Sequence, residues 1–181
     1  MRITETSLPG VLLIAPEIHR DRRGTFFETY NRRTMAEAGL PVEWPQDNFS
    51  LSYRNVLRGI HYQLTHPQEK LVRVTEGAML DVVVDLRRGS PSFGLHVAVE
   101  LTSEKGEMLW IPRGFGHAFL ALTAVVGFSY KVSDYYFPAG ERTIVWDDPD
   151  LGIPWPIDSQ SAILSDKDRR GVALKDAELF P

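Results

Sequence analysis

Two histidines sit where they could do chemistry. His61 lies in Val56-Leu57-Arg58-Gly59-Ile60-His61-Tyr62-Gln63, where basic side chains alternate with apolar ones. His117 follows the turn Ile111-Pro112-Arg113-Gly114-Phe115-Gly116 and leads into the apolar run Ala118–Leu122. A histidine at the mouth of a β-barrel can be a metal ligand, a base or a satisfied core residue. As a base it works near neutral pH and gains from a carboxylate that orients the ring; Asp81, Asp85, Asp166 and Asp168 are candidates. Tyr130 could donate a proton, or pack as a strand aromatic. Lys70 is a compact cation suited to an enolate oxygen, although alone it reads as solvated surface, as does Asp168. Arg20, Arg22 and Arg23 crowd one turn and Arg58 adds a fourth guanidinium, a type that matches phosphate bidentately; the charge run also suits a solvated turn.

A transition-metal site has poorer material. Small β-barrel metalloenzymes commonly use a His-x-His pair, a downstream Glu and a later His. Here Tyr62 and Gln63 follow His61, and Lys70 adjoins Glu69, where an ammonium would repel a divalent cation. The expectation is that no metal is bound. Cysteine is absent, which excludes disulfides, thiolate metal sites and a cysteine nucleophile.

The elements that must hold these groups are short. Glycine (14) and proline (12) are spread along all 181 residues and leave few helical windows. Arg32–Ala38, closed by Gly39 and Pro41, predicts one helix; Leu174–Leu179 predicts a shorter one. Period-two or short apolar runs predict strands over Val11–Ala15, Leu71–Thr75, Met79–Leu86, Leu95–Leu101, Met108–Ile111, Ala118–Leu122, Val125–Val132 and Thr143–Trp146. Strands this closely spaced, without helices between them, indicate an all-β antiparallel sandwich or barrel rather than a parallel α/β sheet, and a jelly roll fits the size. Arg58 and His61 are an odd number of residues apart, so a regular strand would put them on opposite faces; Gly59 permits the bulge that would unite them. The length and the absence of linkers or repeats indicate one domain, 1–181, whose first 55 or so residues are looser and could reach a partner subunit.

The formal charge of −4, without a basic cluster, argues against nucleic acid as the main partner, yet leaves room for a small anion. No run approaches the ~18 apolar residues of a membrane span, and the first residues lack a signal-peptide core, so a cytoplasmic location is expected.

Several motifs in order then become specific: Asp21 through Glu28, Gln46-Asp47-Asn48-Phe49-Ser50, Val56 through Gln63, Lys70-Leu71-Val72-Arg73, Asp81 through Arg87, Ser90 through Gly94, Ile111 through His117, Tyr130 through Glu141, and Leu164-Ser165-Asp166-Lys167-Asp168. From about Pro9 to Asp168 the chain resembles the dTDP-4-dehydrorhamnose 3,5-epimerase family, cupin-like sugar-nucleotide epimerases. The resemblance implies an all-β, cupin-like jelly-roll barrel with short peripheral helices and a cofactor-free isomerase acting on a dTDP-linked 4-keto-6-deoxy sugar. It implies His61 as base with Asp168 as its partner, Tyr130 as the returning acid and Lys70 at the enolate. It assigns substrate binding to Arg23, Glu28, Gln46, Asp47, Asn48, Arg58, Lys70, His117, Tyr136, Glu141 and Lys167, with Tyr136 stacking on the thymine. It also implies a homodimer in which Arg23 and Glu28 face the neighbour's pocket. Two departures stand out: Ala118 replaces the family's usual glycine, and the tail after Asp168 is short. Relatives with the same catalytic set invert one carbon only, so a mono-epimerase is the nearest rival. A metal-dependent cupin and a non-catalytic binding cupin are more distant ones.

Overall fold

The computed structural model describes residues 1–181. In chain order the strands are β1 (Arg2–Glu5), β2 (Leu12–Ala15), β3 (His19–Asp21), β4 (Gly24–Phe26), β5 (Gln46–Tyr53), β6 (Leu57–Gln63), β7 (Lys70–Glu76), β8 (Ala78–Asp85), β9 (His96–Thr102), β10 (Met108–Ile111), β11 (Phe115–Ala121), β12 (Val125–Val132) and β13 (Glu141–Thr143), with helices α1 (Arg32–Glu37) and α2 (Asp166–Arg169). Two antiparallel sheets face each other. One runs β1-β2-β10-β7-β12-β5, the other β13-β6-β11-β8-β9, and β3-β4 forms a separate hairpin. No helix is long and apolar enough to cross a membrane.

Strand alternation explains both the core and the cavity. Between the sheets, Val72, Val74, Val126 and Phe128 of the first pack on Met79, Val83, Phe119 and Ala121 of the second. Continuing those inward rows along the same strands brings polar residues to one end: Lys70 precedes Val72 and Val74 on β7, and Tyr130 follows Phe128 on β12. The apolar core therefore grades into a polar-walled cavity without a change of architecture.

The remaining surfaces of the sheets are covered differently. Behind the second sheet, Ile60, Tyr62, Val82, Val84 and Ala118 pack with Ile144, Leu151 and Leu174 of the C-terminal segment. Ala118 thus belongs to that second core rather than to the cavity. Behind the first sheet, Ile14, Leu71 and Met108 are covered by Met35 of α1 and by Leu40. Asn31 caps α1, its side-chain oxygen accepting from the amides of Arg33 and Thr34.

Several local expectations change. The first 55 residues are less loose than their polarity implies, because β1, β2 and β5 are integral to the six-stranded sheet. Only the β3-β4 hairpin lies outside the two large sheets, while α1 packs on the back of the first through Met35. The polarity of β5 reflects its position: Gln46, Asn48 and Ser50 face the cavity while the alternate residues face outward. The C-terminal helix expected over Leu174–Leu179 is a single 3₁₀ turn, Leu174–Asp176. The strand expected at Thr143–Trp146 is shifted to Glu141–Thr143, where it pairs with β6.

Candidate active site

The cavity between the sheets has a volume of about 380 Å³ and is walled by both. His61 projects into it from β6 and His117 from the adjoining β11, while Lys70 and Tyr130 enter from β7 and β12 opposite. Arg58 lines it as well, despite its odd separation from His61. On β11, His117 pairs with His61 and Phe119 with Arg58, so two steps on one strand match three on the other. The extra residue is absorbed at Gly59, whose φ of +113° suits glycine. A Cβ there would come within 2.5 Å of the His117 carbonyl oxygen and 2.6 Å of the Ala118 Cβ. The bulge expected from Gly59 is present, and it turns Arg58 and His61 onto one wall.

The two cavity histidines have separate carboxylate partners. His61 Nε2 lies 2.5 Å from Asp168 Oδ1. Asp168 is buried on α2, where Ser165 Oγ donates to its Oδ2 at 2.7 Å and accepts from its amide at 3.1 Å. Burial works against ionisation of Asp168, but hydrogen bonds from His61 and Ser165 outweigh it and hold the carboxyl below its ordinary range. An ionised carboxylate only accepts, so the His61 proton sits on Nε2 and Nδ1 keeps the free lone pair. Burial also lowers the His61 pKa, against the opposing pull of Asp168. At neutral pH the ring is therefore a neutral imidazole whose Nδ1 can accept a proton. His117 Nε2 pairs with Asp81, 2.9 Å from Oδ2 and 3.0 Å from Oδ1. Asp85 and Asp166 serve elsewhere: Asp85 binds Arg87, Ser90 and Ser92, and the Asp166 carbonyl accepts from Arg170.

On the opposite wall, burial raises the Tyr130 pKa, so the phenol stays protonated and can donate. Its ring stacks on Phe128 at 5.2 Å. Lys70 Nζ stands 5.8 Å from the centre of that ring, and burial pushes its pKa down to about 8. It is still mostly ammonium at pH 7. No group of three or more His, Asp or Glu side chains is placed to hold a metal ion.

The mouth of the cavity carries a second network. Glu141 Oε1 accepts from Lys167 Nζ at 2.8 Å and Oε2 from the Tyr136 hydroxyl at 2.9 Å. Although burial opposes it, these hydrogen bonds keep the Glu141 carboxyl low. Gln46 donates to Asn48 Oδ1 at 2.8 Å, and Arg58 Nε donates to Ser52 Oγ at 3.2 Å.

Not every predicted residue converges here. Asp47 faces the outer side of β5 and pairs with Lys131 Nζ at 2.9 Å, as strand alternation between Gln46 and Asn48 requires, so it does not line this chain's own cavity. Arg23 pairs with Asp21 in the β3-β4 turn, and Glu28 accepts from Asn31 at 3.1 Å; neither lines this chain's own cavity. Residue-by-residue reading passed over Ser50, Gln68, Phe119 and Phe128, which do line it. Reading β5 in period two would have found Ser50.

Two facing antiparallel sheets with a polar cavity between them make this a cupin-like jelly roll with acid–base groups on opposed walls. A family model described as dTDP-4-dehydrorhamnose 3,5-epimerase matches residues 5–176. The chain belongs to that family. The dTDP-4-dehydrorhamnose 3,5-epimerase of Pseudomonas aeruginosa is 50% identical over 182 residues, spanning 100% of both chains. Among solved structures, the dTDP-6-deoxy-D-glucose-3,5-epimerase of Legionella pneumophila, in complex with dTDP-4-keto-L-rhamnose, superposes with a TM-score of 0.94 at 42% identity, covering 98% of this chain and 94% of that one. A 3′-monoepimerase from Streptomyces bikiniensis, in complex with dTDP-quinovose, reaches 0.88 at 39% identity, covering 94% and 86%.

Proposed function

We propose that this enzyme inverts C3 and C5 of dTDP-4-dehydro-6-deoxy-D-glucose to give dTDP-4-dehydro-L-rhamnose. The observation that carries the reading is the placement of His61, backed by Asp168, on one sheet and Tyr130 on the sheet opposite, across a single cavity. Inversion at carbon needs a proton removed from one face and returned to the other, and two walls supply two faces. The C4 ketone acidifies the adjoining C–H bonds. His61 Nδ1 takes the proton, the electron pair moves to the C4 oxygen as an enolate, and Lys70 stabilises that charge. Tyr130 then delivers its hydroxyl proton to the other face, and the ketone re-forms. Exchange with solvent resets both groups, so the reaction has no net proton demand.

For binding we assign Arg58 and Lys167 to the diphosphate, Tyr136 to the thymine, and His117, Gln46, Asn48 and Glu141 to the remaining polar groups. Solvent deuterium uptake by the keto-sugar nucleotide tests the reading. Label at both C3 and C5 is expected; label at one carbon would make this a mono-epimerase.

Lys70 sets the alkaline limit. Its ammonium is the functional form, so turnover is expected to fall as pH rises through about 8. The acid limb is displaced downward from the ordinary histidine value, because burial depresses the His61 pKa. A pH profile of kcat/KM reads both limbs, and a rate flat to pH 10 would remove Lys70 from the enolate role.

We further propose a homodimer, with Arg23 and Glu28 completing the neighbour's pocket. In support, both lie away from this chain's cavity, and the edge strand β5 presents Phe49 (63% exposed), Leu51 and Tyr53 outward, with Phe26 of the hairpin 70% exposed. Aromatic side chains grouped on an unpaired edge suit an interface. Sedimentation should give a single species of twice the 20.5 kDa chain mass.

A further inference from the structure

Gln63 lines the cavity, yet its carboxamide has almost nothing left to offer a ligand. The side chain is buried, at 6% exposure. Its Nε2 donates to the His66 carbonyl at 2.7 Å and the Tyr135 carbonyl at 3.3 Å, and its Oε1 accepts from the Phe137 amide at 2.9 Å. Both N–H bonds and one of two lone pairs are thus engaged. Only one orientation of the amide fits, since a flip would aim the oxygen at two carbonyls and the nitrogen at an N–H.

All these partners belong to two loops at the cavity mouth, one of which carries Tyr136. That loop is poorly anchored by apolar burial, because Tyr135, Tyr136 and Phe137 are all exposed. Side-chain hydrogen bonds to its backbone hold it instead. Gln63 takes Tyr135 and Phe137, Gln46 Oε1 accepts from the Tyr136 amide at 3.0 Å, and Gln68 Nε2 donates to the Asp134 carbonyl at 2.9 Å. Gln63 is the member that grips both flanks of Tyr136. It also sits two residues from His61 on β6, and its backbone neighbour across the sheet is Glu141, the residue that accepts from the Tyr136 hydroxyl.

We infer that Gln63 is a positioning residue: it fixes Tyr136 relative to the strand that bears the base, and so governs the affinity for the nucleotide part of the substrate rather than the chemical step. The inference rests on reading the cavity as a nucleotide-sugar site. It makes Gln63 a determinant of KM without contact to the reacting carbons.

Gln63→Met keeps the side chain's length and removes all three hydrogen bonds. The dissociation constant for dTDP, by calorimetry, and KM for the keto-sugar nucleotide are each expected to rise about tenfold while kcat stays within about twofold. Combined with Tyr136→Ala, the loss should not exceed that of Tyr136→Ala alone, because the latch acts through that ring. Should Gln63→Met fail to fold, Gln63→Asn, which keeps an amide but falls one methylene short of the loop, carries the same expectation. A fall in kcat at constant KM, or additive losses in the double variant, would overturn the role. If the wild type binds dTDP and exchanges deuterium but Gln63→Met binds dTDP equally well, the latch alone falls. If the wild type binds no dTDP, the nucleotide reading falls and takes the latch with it.

Discussion

His61→Ala is expected to abolish solvent deuterium uptake at both C3 and C5, with turnover falling by roughly 10²–10⁴ as for loss of a general base. The cavity contains no equivalent replacement. His117 is the other imidazole on that wall, but its Nε2 is bound to Asp81 and its position on β11 is one strand removed from the Asp168 pair. Lys70 and Tyr130 stand on the opposite sheet, are protonated at neutral pH, and face the other side of a sugar held between the walls. The substitution also leaves the Asp168 carboxylate buried without its ring partner, a change that costs stability by about 1–3 kcal/mol. Thermal unfolding therefore has to accompany the assay, and His61→Asn, which restores a polar group near Asp168, separates the two effects. Exchange within tenfold of wild type in a folded His61→Ala protein would remove His61 from the role of base.

Tyr130→Phe should split exchange from inversion. The variant removes one hydroxyl and leaves the ring, so stacking on Phe128 and the approach of Lys70 to the ring face persist. His61 can still take the proton and Lys70 can still hold the enolate. What is missing is the acid on the far face, so the enolate is protonated mainly from the side it left. Formation of inverted product is expected to fall by about 10²-fold or more, while deuterium exchange falls by less than about tenfold. Nuclear magnetic resonance of the same reaction mixture reads both quantities. Equal losses in exchange and inversion would contradict a separate returning acid and would place Tyr130 in the abstraction step or in binding.

The two variants probe one geometric fact, and that fact has different visibility at different levels. His61 was legible in the chain as a candidate base, whereas Tyr130, Lys70 and Asp168 stood out only because each lies in a motif of the family. The jelly-roll class was legible from closely spaced strands separated by glycine and proline turns. The contrasting roles of Asp81 and Asp168 were not: four aspartates were candidates for a histidine partner, and the two cavity histidines each take a different one. Asp168 reaches His61 across 107 residues of sequence, through a four-residue helix whose cap, Ser165, also binds the carboxylate. No local pattern reports such a distance.

Strand β5 was harder to read for a related reason. Its alternation is polar inside and apolar outside, the reverse of an ordinary core strand, because its inner face lines the cavity and its outer face lies on the molecular surface. The polar residues made the first 55 positions look loose, and Asp47 looked equivalent to Gln46 and Asn48. The pleat separates them, sending Asp47 to Lys131 on the outer face. Gln63 was hidden in the opposite way. It stands inside a family motif, but a glutamine's value depends on which backbone groups surround it, and those come from loops closed by the pairing of β6 with β13.

By itself, then, the amino-acid sequence determined the chemical groups, histidine, tyrosine, lysine and arginine on short strands with glycine at position 59 where β6 had to bulge, and through its family motifs the reaction class. The tertiary structure alone decided which wall each group occupies, which carboxylate backs which histidine, and which polar side chains hold the mouth instead of the ligand. The physical reason is that side-chain type and strand alternation are local properties, whereas pairing across sheets, burial and the resulting shifts in proton affinity arise only when distant segments pack together.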